Sequence, residues 1–205
     1  MIIAVDGPAA SGKGTLAKML ARHFGLDYLD SGSLYRAVAW TLLSSDHDPA
    51  DETAAVKTVR KLDLSAIDAR ELRSKRVGSA ASIVAEFPKV REALLDYQRE
   101  FARRGAVIDG RDIGTIVAPD ADVKMYITAS LDVRARRRTN ELAEQGASYE
   151  EGEIRNDLAA RDRRDTMREV APLRRAEDAL LLDTTDLDIE TAFQAAIVLI
   201  EGQLE

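Results

Sequence analysis

A chain of 205 residues has room for one α/β domain with small appendages, and its 32% charged content marks a soluble globular protein. A formal net charge of −7 argues against a nucleic-acid platform, which carries a basic excess, and the lack of cysteine excludes disulfides and thiolate chemistry. No apolar run approaches the roughly 18 residues of a membrane span, and no basic region with a cleavage site precedes the first strand, so a cytoplasmic protein without membrane contact is expected.

The first apolar run, Ile2–Val5, leads into Gly7-Pro8-Ala9-Ala10-Ser11-Gly12-Lys13-Gly14-Thr15 and then into an amphipathic run with Leu16, Met19, Leu20 and Phe24. That order is strand, tight loop, helix. Glycines at both ends of the loop let backbone N–H groups turn inward as a nest for phosphate oxygens at a helix N-terminus. Lys13 adds a mobile cation for the terminal phosphates, and a nearby hydroxyl serves a metal shell. The strict pattern places Ser or Thr directly after the lysine; here Gly14 intervenes and the hydroxyl is that of Thr15.

Further apolar runs at Tyr28–Asp30, Ala106–Asp109, Val123–Thr128 and Ala179–Asp183 lack strict alternation, which suits strands covered on both faces of a parallel sheet. Helical patterns separate them in a βαβ rhythm. Ligands of such sheets gather beyond the carboxyl ends of the strands. The polar clusters Asp6-Gly7, Asp30-Ser31-Gly32 and Asp109-Gly110-Arg111-Asp112 all fall there.

Between about Ser44 and Arg104 the pattern is helical: Ala54, Ala55, Val56, Val59 and Leu62, then a helix from about Ser74 to Ala85, then one opened by Pro88 with Val90, Leu94, Tyr97 and Phe101 on its apolar side. A helix from Leu131 to about Gly146 carries Arg134, Arg136, Arg137 and Arg138, a run that by itself is as readily a solvated face as a ligand contact. A charged helix from Tyr149 to about Asp165 follows, with Arg168 beyond it, and a final core helix runs from Ile189 to about Leu204. His23 and His47 have no metal-ligand spacing and are expected at the surface; Trp40 and Phe24 are expected to pack.

Phosphoryl transfer asks the protein to position reactants and neutralise charge. A hydroxyl acceptor calls for a carboxylate base, whereas a phosphate acceptor is already ionised near neutral pH, its second pKa being about 6. Such a reaction needs many cations and no base. The spread of Arg36, Arg91, Arg111, Arg161, Arg164 and Arg168 fits that second profile, and the planar fork of arginine meets phosphate oxygens two at a time.

The loop GPAASGKGT, the segments Asp30 to Arg36, Ser79 to Ser82 and Phe87 to Arg91, the block Asp109 to Thr115, and Arg161 to Arg168 followed by Val170-Ala171-Pro172-Leu173 together resemble the bacterial cytidylate kinases, in order and nearly along the whole chain. The resemblance implies a P-loop NTPase three-layer α/β sandwich with a five-stranded parallel sheet, divided into a core (about 1–45, 105–146 and 169–205), a mainly helical monophosphate-binding insertion (about 46–104) and a lid (about 147–168). It implies transfer between ATP and CMP, acceptance of dCMP, and use of Mg²⁺.

Carried over position by position, it assigns Arg36, Arg111 and Arg168 to the acceptor phosphate, Ser82, Arg91 and Asp112 to the cytosine, and Arg161 and Asp165 to the sugar, with Ser31 and Tyr35 in the same pocket. Thr15 and Asp109 would serve the metal. Lys13 and Arg164 would act on the transferring group, Arg164 as a lid arginine spanning both nucleotides, alongside Arg111, Arg161 and Arg168. The chemistry agrees: a carboxylate such as Asp112 accepts from the exocyclic amine of cytosine and repels the carbonyl that uracil puts there.

Each residue also has a plainer role open to it, with Asp112 and Arg111 pairing with core neighbours and Ser82 capping or facing water. The span Ser65 to Lys75, after the segment near Leu62–Leu64, is too short for the small β-hairpin that many of these kinases carry, which predicts a reduced closing lobe. A kinase of UMP or another small acceptor, and a nucleotide-binding regulatory module, are the competing readings. Nothing in the chain demands more than a monomer.

Overall fold

The structure, a computed structural model, describes residues 1–62, 67–68 and 70–204. Strands β1 (Ile2–Asp6), β2 (Asp27–Asp30), β3 (Ala106–Gly110), β4 (Val123–Thr128) and β5 (Leu180–Asp183) form one sheet in the order β2-β3-β1-β4-β5, with every pairing parallel. β1 is central, with β3 on one side and β4 on the other, so the carboxyl ends of β1 and β3 open on the crevice where parallel sheets hold ligands. The strands begin and end within two residues of the sequence expectation. Burial on both faces, however, holds only for β1 beyond Ile2 and for β3; β4 alternates between buried and half-buried, and β2 and β5 lie at the edges.

Helices α1 (Lys13–Phe24) and α8 (Ile189–Leu204) cover one face, packing Leu16, Leu20, Ile197 and Ile200 against Ile3, Val5, Met125 and Ile127. Each such fully buried aliphatic side chain contributes about 1.5–3 kcal/mol. On the other face, the end of α5 (Pro88–Arg103) and a single π-helical turn (Ile113–Val117) bring Ala102, Ile113 and Val117 onto Ala4, Ala106 and Ile108. No local pattern of residues predicts that π-turn. It is built on Asp6, whose two carboxylate oxygens accept from the N–H groups of Ile113 (2.9 Å) and Gly114 (2.8 Å).

A second apolar centre joins α2 (Ser31–Ser44), α3 (Glu52–Val59), α4 (Lys75–Val84) and α5 through Leu34, Val38, Leu42, Val77, Val84 and Leu94. Local chemistry sets these boundaries: Asp30 caps α2 through the N–H of Ser33 (3.1 Å), Ser74 caps α4, and Pro88 occupies the first turn of α5, where no N–H is needed. Before α4 comes a 3₁₀ turn, Glu71–Arg73. The expectation of a missing hairpin falls partly on residues 63–66 and 69, outside those described. A smaller cluster seats Ala9 of the phosphate loop on α6 (Leu131–Glu144) and α7 (Glu151–Met167) through Ala135, Leu142, Ile154 and Leu158. No helix among the described residues is long and apolar enough to cross a membrane.

Candidate active site

The loop between β1 and α1 takes its shape from three positive φ angles, at Gly7 (150°), Ala10 (60°) and Gly12 (86°). A side chain at Gly7 would put its Cβ 2.0 Å from the carbonyl oxygen of Ile127, so the loop leaves the sheet by passing directly against β4. Gly12 starts α1 with no side-chain cap, which leaves the first-turn N–H groups for a ligand. The loop opens on a cavity of about 590 Å³. Ala9 to Thr15 line it, while Gly7 and Pro8 are buried behind them.

Lys13 lies inside this cavity, its Nζ 3.9 Å from Oδ2 of Asp109 at the end of β3. Tyr28 donates its hydroxyl to the other oxygen of Asp109 at 3.1 Å. Burial, and next the cation of Arg111, push the Lys13 pKa down to about 8, while Asp109 and Asp30 act the other way. Burial, and next the charge of Asp30, push Asp109 up to about 6. The glycine after the lysine has a steric cause as well: a Cβ at Gly14 would stand 3.1 Å from Oδ2 of Asp109. Asp109 can approach the loop this closely because nothing projects from position 14.

Hard oxygen donors beside a phosphate nest suit Mg²⁺, which binds one or two carboxylates and keeps water and phosphate for its other positions. The Asp109 carboxylate at the foot of the loop and the Thr15 hydroxyl in the first turn of α1 fit that description, and both line the cavity. No group of three or more His, Cys, Asp or Glu side chains able to hold a metal occurs among the described residues, so an ion here would rely on nucleotide oxygens.

The rest of the cavity wall carries the residues expected on the acceptor side. Ser31, Tyr35 and Arg36 come from α2, Ser82 from α4, Arg91 from α5, Arg111 and Asp112 from the β3 end, and Arg161, Asp165 and Arg168 from α7 and its C-cap; all of them line the same cavity as the phosphate loop. Arg91 pairs with Asp112 and also donates to the Ala85 carbonyl at 3.1 Å. Arg168 reaches the other oxygen of Asp112 at 3.4 Å and gives its Nε to the Ala171 carbonyl at 2.7 Å. Arg111 donates to Asp165 at 2.8 Å. The plainer pairing roles are thus filled by residues that also form the cavity wall.

Arg36 and Arg161 differ from these: in each, Nε is buried with no hydrogen-bond partner among the described residues. Burial, and next the nearby Arg111, push the Arg161 pKa down to about 9, the mark of crowded cations that an anion would stabilise. Burial also works against the charge of Asp165, but Arg111 and Arg161 outweigh it and hold its pKa below the ordinary value.

Arg164 stands apart from the expectation that it spans the phosphates. Its Nε donates to Ser82 Oγ at 3.1 Å and lies 3.9 Å from Glu86, which turns the guanidinium toward α4 and out of the cavity lining. Arg164 shares a helix face with Arg161, three residues before it, and it is the contacts to Ser82 and Glu86 that hold its guanidinium on α4.

The arginine row of α6 separates into different jobs. Arg134 is buried, Arg136 is exposed, Arg137 forks onto the carbonyls of Thr184 (2.7 Å) and Leu187 (3.2 Å), and Arg138 pairs with Glu141. Thr184, Leu187, Asp188, Ile189 and Ala192 complete the cavity beside the phosphate loop. Sequence reasoning assigned no site role to this stretch, nor to Asp6, whose pKa burial pushes up to about 7. Asp6 sat in a noted strand-end cluster; the loop after β5 had only its place beyond a strand to mark it. His23 and His47 are exposed, and Trp40 and Phe24 pack against the apolar clusters, as expected.

A phosphate loop at the head of a five-stranded parallel sheet, with helices on both faces, defines the P-loop α/β class of nucleotide-binding proteins. Comparison with known proteins narrows the class. A family model described as cytidylate kinase matches residues 3–201. Over 204 residues the chain is 54% identical to a cytidylate kinase of Methylocella silvestris, covering 98% of this chain and 94% of that one. It is 55% identical to a cytidylate kinase of Bradyrhizobium sp. strain ORS 278, covering 98% and 96%. A crystal structure of an uncharacterized protein from Eubacterium ventriosum superposes with a TM-score of 0.58 over 98% of both chains at 16% identity, a likeness of fold alone. The chain belongs to the cytidylate kinase family.

Proposed function

We propose that the protein transfers the terminal phosphoryl group of ATP to CMP, and also to dCMP, as a monomeric cytoplasmic enzyme of pyrimidine nucleotide metabolism without nucleic-acid or membrane partners. The observation that carries this reading is the single cavity whose one wall is a phosphate nest and whose other is a set of arginines around a buried carboxylate. The regions 46–104 and 147–168 act as acceptor-binding insertion and lid, with 1–45, 105–146 and 169–205 as the core.

The loop N–H groups from Ala9 to Thr15 and the Lys13 ammonium take the ATP phosphates. Thr15 and Asp109 would hold Mg²⁺, whose charge would offset that of the phosphates. Arg36, Arg111 and Arg168 receive the acceptor phosphate. Arg161 and Asp165 hold the sugar beside Ser31 and Tyr35, and the buried Nε of Arg161 also serves the transferring group. Asp112, fixed on both oxygens by Arg91 and Arg168, accepts from the amine of cytosine, and Arg91 and Ser82 complete the base contacts. The acceptor oxygen is already ionised, so the residues bind, align and exclude water rather than remove a proton.

Asp112→Ala tests the base contact. Losing a buried charged acceptor costs about 1.5–3 kcal/mol, so KM for CMP should rise about 10- to 100-fold while KM for ATP changes little. Equal rises in both constants, measured by steady-state kinetics with each nucleotide varied, would remove Asp112 from base recognition.

A further inference from the structure

Peptide N–H groups can form an anion nest only if the carbonyls between them point elsewhere, since an oxygen turned inward would repel phosphate. In this phosphate loop two carbonyls have identifiable holders. The Ala9 carbonyl accepts from Nη1 of Arg134 at 3.2 Å. The Ser11 carbonyl lies 3.1 Å from the Thr184 hydroxyl. These carbonyls flank Ala10, which holds a left-handed φ of 60° without being glycine. That conformation costs on the order of 1–3 kcal/mol and persists only where its surroundings fix it.

Arg134 is only 6% exposed and lies outside the cavity lining, so the carbonyl it takes is drawn away from the nucleotide. Its other donors are spent in two directions. Nε donates to the Ala129 carbonyl, just past β4, at 2.9 Å, and Nη2 pairs with Asp162 of α7 at 2.7 Å. One guanidinium therefore joins the phosphate loop, the end of the sheet and the helix that carries Arg161 and Asp165. Thr184 mirrors it after β5: its hydroxyl sits 3.1 Å from both the Ser11 and Thr128 carbonyls and accepts from Nη1 of Arg137 at 3.0 Å.

We propose that Arg134 is a positioning residue for the donor nucleotide: it holds the Ala9 carbonyl out of the phosphate nest, with Thr184 as its counterpart at Ser11. Arg134 touches no substrate. This inference deepens the proposed phosphotransfer and rests on ATP occupying the loop. Lysine cannot replace it, because one ammonium cannot reach two carbonyls and a carboxylate that lie around a planar fork.

The test compares wild type with Arg134→Met, Arg134→Lys and Thr184→Val, using steady-state kinetics and calorimetric titration of the non-hydrolysable ATP analogue AMPPNP with Mg²⁺. Arg134→Met should raise KM for ATP and weaken AMPPNP about ten-fold, with KM for CMP within about two-fold, the loss of a charged hydrogen bond being felt on the donor side only. Arg134→Lys should recover less than half of that loss on a logarithmic scale. Full recovery by lysine, or parallel losses for ATP and CMP, would overturn the proposal. Should Arg134→Met fail to fold, Thr184→Val decides: donor-side weakening alone supports the proposal, and unchanged AMPPNP binding overturns it. Calorimetry needs no acceptor, so it reads the loop even if CMP proves not to be the substrate, in which case CMP-dependent turnover fails in the wild type while the AMPPNP comparison still stands.

Discussion

Lys13 and Asp109 stand 3.9 Å apart inside a buried cavity, and each moves the proton of the other. The sign of the resulting pH dependence follows from their roles. In the proposed reaction Lys13 serves ATP as a cation, and burial has brought its pKa down to about 8, so it loses its proton as pH rises through that value. Without bound nucleotide, kcat/KM for ATP should therefore fall above about pH 8. Asp109→Asn removes a carboxylate that favours the ammonium, so in that variant the falling limb should move to lower pH as well as the maximum dropping. A limb that stays in place, or moves upward, would show that another group sets it. At this scale the sequence was informative where chemistry and chain position coincide: the placing of Lys13 in the cavity was legible from the loop motif that follows β1, and that of Asp109 and Asp112 from the polar cluster at the end of β3. Arg164 rests on Ser82 instead of lining the cavity, a contact with α4 that no local motif announces.

The strand-to-loop junction is where the elements depend most narrowly on one residue. Gly7 combines a φ of 150° with a virtual Cβ 2.0 Å from a backbone oxygen of β4, so alanine there must displace either the loop or the strand. Gly7→Ala should destabilise the protein by about 3 kcal/mol, a drop of roughly 6–12 °C in melting temperature for a chain of this size. An unchanged melting temperature by calorimetry would contradict the packing described. The elements themselves were largely legible: apolar runs, the caps Asp30 and Ser74, and Pro88 gave boundaries to within about two residues. The π-turn after β3 was not, because it is made by a carboxylate 107 residues away in sequence, Asp6, capping the N–H of Ile113. Long-range capping leaves no local pattern to read. The alternation in β4 was missed for a related reason, since which strand faces are covered depends on how the helices lie across the sheet.

At the scale of the whole molecule, the insertion and the α7 segment meet above the cavity. Lys75 at the start of α4 pairs with Glu153 and with Asp157 (2.8 Å) of α7, and its ammonium sits 4.6 Å from the Tyr149 ring centre. Arg138 of α6 donates to the Arg73 carbonyl at 3.0 Å, and Arg164 reaches Ser82. The carboxylates Glu153 and Asp157 are exposed, Lys75, Arg138 and Arg164 are partly so, and a surface ion pair contributes only about 0–1 kcal/mol. The roof is therefore held lightly over a floor packed by buried aliphatic side chains, a distribution of stability suited to admitting and releasing nucleotides. Floor and roof together would serve two nucleotides, one on the nest and one among the arginines. ADP release from ATP and Mg²⁺ alone, and with CMP, dCMP, UMP or AMP added, tests this. Release should be rapid with CMP and dCMP, slow with UMP or AMP, and next to none with ATP alone; release with ATP alone that matches release with CMP would overturn the two-nucleotide site.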